Sequence, residues 1–267
     1  MILNVNVKEW LKNMKNKYTI ISKDTSKLDY YKSIFISKLN DYIYDDNNPD
    51  YCFTIGGDGT LIHAIHKYIS IIDHVIFVGI HAGTLGFFSD YTIDEIDKCL
   101  DDFLTCSHNT LTFNLLQATY NNNIIYALNE IRVEALKSSQ LIDVSIDDVF
   151  FERFRGNGLL VCTQIGSTAY NRSLNGSIID HSVNCIQLTE ISGVNRQQYP
   201  TCGSSIIFDR STNISFKADF KDASILYDLF EAKLSGLTQI DISLSDISVK
   251  LLNIKDIPYL KRIKTLF

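Results

Sequence analysis

No apolar run in this 267-residue chain approaches the roughly 18–20 residues that a membrane-spanning helix needs. The opening stretch MILNVNVKEWLKNMKNK also lacks the apolar core of a secretory leader. A cytoplasmic protein with no membrane partner is therefore expected. An excess of basic residues is missing too: 25 Lys and Arg stand against 31 Asp and Glu, a formal net charge of −6. That argues against a nucleic-acid partner bound through a broad basic face. It leaves room for a phosphate ligand, because backbone N–H groups bind anions locally whatever the global charge. The six cysteines, at positions 52, 99, 106, 162, 185 and 202, form no Cys-x-x-Cys pair. Cys52, Cys162 and Cys185 sit in apolar strand-like runs, so buried reduced thiols are expected rather than a disulfide frame. Internal repeats and low-complexity linkers are absent as well. What remains is an ordinary globular composition, 45% hydrophobic and 21% charged, enough for one large domain or two modest ones.

The first part alternates strand and helix patterns. Tyr18–Ser22 is a short β-type run, and Leu28–Leu39 carries apolar residues at helical spacing. The polar stretch Asp45–Asp50 reads as a loop, Cys52–Ile55 as a strand and Leu61–Ile69 as a helix. Val75–Ile80 is almost continuously apolar, as a strand covered on both faces is, and Ile93, Ile96, Leu100 and Leu104 form one helical stripe. Such alternation predicts a parallel, doubly wound sheet. From about Thr110 the pattern becomes β-rich, with an Asn-rich turn before IIYALNEIRVEA and Asp147-Asp148 as a hairpin turn. The last residues, IPYLKRIKTLF, are short and basic, either a tail or a segment packed on the first domain.

Between the second strand and its helix stands Gly56-Gly57-Asp58-Gly59-Thr60. Glycines let backbone N–H groups approach an anion, and a helix N-terminus adds partial positive charge. The loop is neither a Walker A sequence, lacking Gly-Lys-[Ser/Thr], nor a G-x-G-x-x-G fingerprint. One reading makes it a tight turn with Asp58 as N-cap. The other gives Asp58 work that needs a carboxylate beside phosphate: taking a proton from an attacking hydroxyl, or helping to hold a divalent ion. Two further segments bear on the choice. Asn129-Glu130 pairs an amide with a carboxylate, which can accept both hydroxyls of a ribose diol, though an exposed polar pair is the plainer reading. Arg155–Tyr170, RGNGLLVCTQIGSTAY, is a strand at Leu159–Cys162 between two glycine turns, whose Thr and Tyr hydroxyls can line a nucleotide pocket. His63 and His66 share a helix face, but no further ligands with suitable spacing suggest a protein-held metal; His63 is better placed near phosphate.

Taken in order, these segments resemble the NAD kinase family, over about Tyr18 to Asp228. The matching elements are the GGDGT loop, His81-Ala82-Gly83-Thr84-Leu85-Gly86-Phe87-Phe88, Asn129-Glu130, and Gly156-Asn157-Gly158 through Gly166-Ser167-Thr168-Ala169-Tyr170. STAYNRSLNG is similar to the small bacterial branch. The resemblance implies an α/β Rossmann-like N-terminal domain, residues 1–107 with 248–267 packing back on it, and an all-β, sandwich-like domain over 108–247. It implies transfer of the ATP γ-phosphoryl, or that of polyphosphate, to the 2′-hydroxyl of the adenosine ribose of NAD. It also implies a divalent ion such as Mg²⁺ carried with ATP, no tightly bound organic cofactor, and a homodimer or homotetramer. Residue by residue, Asp58 matches the general base and Gly57, Gly59 and Thr60 the phosphate loop. Phe87 matches a residue of the adenine pocket, Asn129 and Glu130 the ribose pair, and Thr168, Ala169, Tyr170 and Ser173 the nucleotide-binding turn. Ser192 falls where the family contacts the nicotinamide side; Arg155, Asn157 and Tyr199 fall where it approaches a neighbouring subunit's ligand; Asp228 aligns with a short motif near the pocket.

The chain departs from the family pattern at Asn157, where the family has Asp, and at Gln164, where it has Pro, which removes a φ constraint. Altered dinucleotide contacts and weaker NAD binding are expected from the first. Asn175-Gly176 stands for Gly-Gly, and Asn tolerates a left-handed backbone. Residues 1–17 have no functional reading. Two other functions fit parts of the pattern: a lipid or sugar kinase sharing the GGDGT loop, which a substrate screen separates, and a non-catalytic dinucleotide sensor, which would bind NAD without making product.

Overall fold

The structure is a computed structural model that describes residues 16–264 except 84, 85, 221, 235 and 237, together with residue 266. The expectation for residues 1–17 thus lies almost wholly outside the described residues, as do Thr84 and Leu85 of the second motif. Two compact units divide the chain: unit 1 holds residues up to 112 and from 249 on, and unit 2 holds Phe113–Ser248.

Unit 1 is α/β. Its strands are β1 (Lys17–Ser22), β2 (Ile43–Tyr44), β3 (Tyr51–Gly56), β4 (Ile76–His81) and β5 (Tyr91–Thr92); its helices are α1 (Leu28–Lys38), α2 (Asp58–Lys67) and α3 (Ile96–Thr105). The order β4-β3-β1-β2 is parallel throughout, with Gly56 of β3 level with His81 of β4. Chain order reverses between β3 and β1, so the GGDGT loop leaves the carboxyl end of β3 at a switch point, where open α/β sheets bind ligands. The core gathers Tyr18, Phe35, Phe53, Ile55, Ile80, Leu100 and Phe103. The stripe on α3 runs through Ile96, Cys99, Leu100 and Phe103, while Leu104 is 45% exposed. At 100° per residue Phe103 faces the sheet and Leu104 turns out of the contact.

Unit 2 is an antiparallel sandwich. Its strands are β6 (Asn109–Tyr120, which begins in unit 1), β7 (Asn123–Ala127), β8 (Glu130–Glu134), β9 (Gln140–Ile146), β10 (Val149–Gly156), β11 (Gly158–Thr163), β12 (Cys185–Ile191), β13 (Ile206–Asp209), β14 (Ile214–Lys217), β15 (Ser224–Tyr227), β16 (Phe230–Lys233) and β17 (Gln239–Asn253). One sheet has the order β13-β12-β11-β8-β15-β16; the other runs β10-β9-β14-β17. The inner faces share one core, with Val133, Leu159, Val161 and Ile186 from the first sheet and Val144, Phe154, Phe216 and Ile240 from the second. β11 is buried on both faces, because Leu160 and Cys162 pack outward against Ile191, Tyr170 and Leu174. The short helix α4 (Tyr170–Ser173) belongs to that outer cover. Tight turns close the hairpins at Asn121-Asn122 (φ 43° and 63°) and Asp147-Asp148 (φ 48° and 64°), a conformation that short polar side chains tolerate.

The end of β17 returns to unit 1, where Lys250 and Leu251 pair in parallel with β4, and helix α5 (Tyr259–Lys264) follows. The basic C-terminal stretch is thus no loose tail, and its Arg262 is 8% exposed. All six cysteines are free; Cys52, Cys99, Cys162 and Cys185 are buried, Cys106 and Cys202 exposed. Among the described residues, no helix is long and apolar enough to cross a membrane.

Candidate active site

In unit 1, Gly57 and not Asp58 is the N-cap of α2, and no side chain caps that helix. The Asp58 carboxylate reaches instead to another loop, where it accepts the N–H groups of Phe87 and Phe88, each at 3.3 Å. The simple turn reading of GGDGT therefore gives way to a carboxylate aimed away from its own helix. Close approach explains two of the glycines. A Cβ on Gly56 would overlap Thr60, and one on Gly86 would overlap the His81 ring and stand 2.9 Å from Asp58 Oδ1. The His81 ring and the Asp58 carboxylate thus both crowd the same side of Gly86, and His81 Nδ1 is buried without a partner. Gly57, Gly59 and Thr60 form the first turn of α2 and its cap; His63 is exposed on the next turn. The Phe87 ring is buried against Phe88 and Tyr259.

Unit 2 brings three separate motifs to one junction. Asp228, left-handed at φ 49°, accepts the N–H groups of Leu128 and Asn129, each at 2.8 Å, across about a hundred residues of sequence. The Asp228 N–H returns to the Glu130 carbonyl at 3.1 Å. Thr163 at the end of β11 donates its hydroxyl to the Leu128 carbonyl (2.7 Å) and accepts from the Gly166 N–H (3.0 Å). Gly166 touches the Asn129 backbone so closely that any Cβ would overlap its carbonyl. Thr168, Ala169 and Tyr170 follow in a short turn, half-buried, and Ser173 is exposed at the end of α4. The Arg132 guanidinium stacks on Tyr170 at 4.1 Å.

The polar atoms at this junction are the informative ones. Asn129 Oδ1, Glu130 Oε2 and Gln164 Oε1 are buried without a hydrogen-bond partner. Buried polar groups are almost always satisfied, so these three atoms single out the junction as the candidate seat for a polar ligand. Glu130 is 5% exposed, and burial, reinforced by Asp228 and opposed by Arg132, pushes its pKa up to about 8.

Arg155, Asn157, Ser192 and Tyr199 lie elsewhere. Gly158, next to Asn157, pairs with Ile191, whereas Glu130 pairs with Cys162 at the other end of β11, roughly 13 Å along the strand. The Arg155 guanidinium stands over the Tyr199 ring at 5.6 Å, and Ser192 has φ 50°. Near them Glu190 accepts the N–H groups of Cys202 and Gly203, at 2.8 and 3.2 Å. Glu152 is raised to about 7 by burial and by Glu190.

The family description "ATP-NAD kinase C-terminal domain" matches residues 122–229, which contain the whole Glu130 junction. NAD kinase 1 of Listeria monocytogenes is 33% identical over 260 residues, covering 94% of this chain and 98% of that protein. This chain belongs to the NAD kinase family. An NAD kinase of Streptococcus pneumoniae is 42% identical over 182 residues, 66% of this chain and 67% of that protein. The fold is shared with the crystal structure of an NAD kinase from Archaeoglobus fulgidus in complex with ATP (TM-score 0.75, 20% identity, 94% of this chain and 97% of that one). It is shared equally with yeast NADH kinase complexed with NADH (TM-score 0.80, 19% identity, 93% and 86%).

Against the NAD kinase pattern, the two departures have local accounts. Asn157 donates its amide to the Ala135 carbonyl at 3.2 Å, which an ionised aspartate cannot do. Gln164 is 3% exposed and adds one of the orphaned oxygens. Asn175 has φ 60°, the left-handed conformation expected of it. Sequence reading passed over Asn171, fully buried, which donates to Ser167 and Ser177 carbonyls and accepts from Thr189. It also assigned nothing to His81, Asp90, Arg262 or the Glu152–Glu190 pair. Only His81 carried a signal, its place inside the second motif.

Proposed function

We propose that this chain transfers the γ-phosphoryl of ATP to the 2′-hydroxyl of the adenosine ribose of NAD, giving NADP, with Asp58 as general base. The observation that carries the reading is Asp58 itself: its carboxylate is fixed by two amides of a second loop beside a glycine-rich helix start. As the ribose oxygen bonds to phosphorus and the β–γ bridge breaks to leave ADP, the carboxylate takes the hydroxyl proton and later gives it to water. Gly57, Gly59 and Thr60, with His63 nearby, seat the phosphates, and Phe87 serves the adenine side. In unit 2, Glu130 accepts the ribose hydroxyls, Asn129 reads a second polar group, and Asp228 holds their backbone. Thr168, Ala169, Tyr170 and Ser173 supply the nucleotide turn. Ser192 is assigned to the nicotinamide half, and Arg155, Asn157 and Tyr199 to the ligand of a neighbouring subunit in a cytoplasmic homodimer or homotetramer.

Among the described residues no three His, Cys, Asp or Glu side chains gather as ligands. The divalent ion is assigned to the incoming ATP, held by phosphate oxygens and water, and no residue here is assigned to it. The test is purified protein with ATP or polyphosphate and NAD, the product read by mass. Asp58→Asn should lower kcat by about 10²–10⁴-fold while NAD and ATP still bind; undiminished turnover would remove Asp58 as the base.

A further inference from the structure

The loop that fixes Asp58 is itself held from the far end of the chain. Arg262 of α5 donates Nη1 to the Phe87 carbonyl at 3.0 Å and to the Ser89 carbonyl at 3.3 Å. Its Nη2 donates to Asp90 Oδ1 and, at 3.4 Å, to Asn253 Oδ1. The other oxygen of Asp90 accepts the N–H groups of Ile254 (2.7 Å) and Lys255 (3.1 Å). The Tyr259 ring meets the Phe87 ring edge-on at 5.8 Å. Residues 86–90 form no helix or strand of length, so these bonds replace the ladder that would otherwise hold them.

A buried ion pair is weak evidence for stability alone, since well-packed apolar residues usually do as well. Arg262 and Asp90 are 8% and 6% exposed, yet the guanidinium spends its fork on two loop carbonyls as well as on the aspartate. One of those carbonyls belongs to Phe87, whose N–H is bonded to Asp58. We propose that Arg262 is a positioning residue for Asp58: through residues 86–90 it sets the two amides that orient the catalytic carboxylate. The inference rests on the reading of Asp58 as base. A lysine can keep the charge beside Asp90, but one ammonium cannot reproduce the planar fork that also serves Phe87 and Ser89.

The experiment compares wild type, Arg262→Lys, Arg262→Ala and Asp58→Asn as full-length proteins. Steady-state turnover with ATP and NAD is read beside backbone hydrogen exchange of the 86–90 segment. Arg262→Lys should stay folded and lose about 10–100-fold in kcat, the cost of a misplacement near 1 Å, with KM for NAD within about threefold. Exchange should quicken in 86–90 and stay unchanged in α1. Millimolar guanidinium should restore part of the turnover of Arg262→Ala and none of that of Asp58→Asn. Native kcat in Arg262→Lys would overturn the proposal, as would a loss of activity that only tracks the unfolded fraction. If Arg262→Ala does not fold, the lysine variant decides alone. A wild type that makes no NADP sinks the reading of Asp58, whereas wild-type turnover with an unaffected lysine variant sinks the positioning role alone.

Discussion

Asp58, the first residue of α2 in unit 1, and Glu130, the first residue of β8 in unit 2, are both carboxylates beside loops that close in from distant sequence. Asp58 is half-buried and already bonded to two amides. Glu130 is almost fully buried, one of its oxygens has no partner, and its pKa is raised to about 8. The first is an acceptor set in place before anything binds. The second is buried with one oxygen left over, which a polar ligand can satisfy. The difference matches the two tasks assigned to them: a base must be correctly placed at the moment of transfer, whereas a ribose holder gains affinity from the orphaned atoms it satisfies.

Glu130→Gln presses hardest on that contrast. The amide keeps the shape but cannot accept both ribose hydroxyls, and charge-assisted bonds are the strong ones. The Kd for NAD, read by calorimetry, should rise about 100-fold, an amount equivalent to roughly 3 kcal/mol. Stability should move the other way. With its folded pKa raised above the unfolded value, Glu130 takes up a proton on folding. Its contribution is therefore complete below about pH 4.5 and lost as pH rises to about 8. Over that window the wild type should lose on the order of 3–5 kcal/mol relative to Glu130→Gln, and the two denaturation curves should run parallel above it. A variant that bound NAD normally would remove the socket from the ligand's path.

The same group predicts a smaller effect on the wild type. On the proposed role of Glu130 the carboxylate must be ionised to accept the diol, so NAD binding should release a proton below about pH 8. Affinity should improve by up to about tenfold per pH unit on the way up and then level off. In Glu130→Gln that slope should vanish. A slope of the same size in the variant would assign the proton to another group, Glu152 being the next raised carboxyl.

The α/β and β-rich patterns were legible because they are local. Periodicity marks the core faces, and Asn121-Asn122 and Asp147-Asp148 announce turns by side-chain size alone. Leu104 misled because one residue of helical phase decides between core and solvent. The glycine loop was visible as a sequence, but not the direction of its carboxylate, which is set by amides some thirty residues on. Asp228 and Arg262 act on partners 99–100 and 175 residues away. Such contacts leave no periodic trace in a single chain, and a basic C-terminal stretch looks the same whether it is solvated or buried.

Asn157→Asp is the smallest perturbation and tests where the unit 2 site ends. The substitution restores the family residue but removes the amide that donates to the Ala135 carbonyl at the strand exit. If Asn157 serves only that exit, the aspartate faces a carbonyl it cannot bond. Stability should then fall by about 1 kcal/mol, the worth of one such bond, with kcat and the Kd for NAD within about twofold. If Asn157 instead reaches a neighbouring subunit's ligand, the restored carboxylate should change NAD affinity more than it changes stability, and the change should vary with protein concentration. That outcome would extend the socket from the Glu130 end of β11 to both of its ends. It would also make the contrast with Asp58 one between a site built within one unit and a site completed by a second chain.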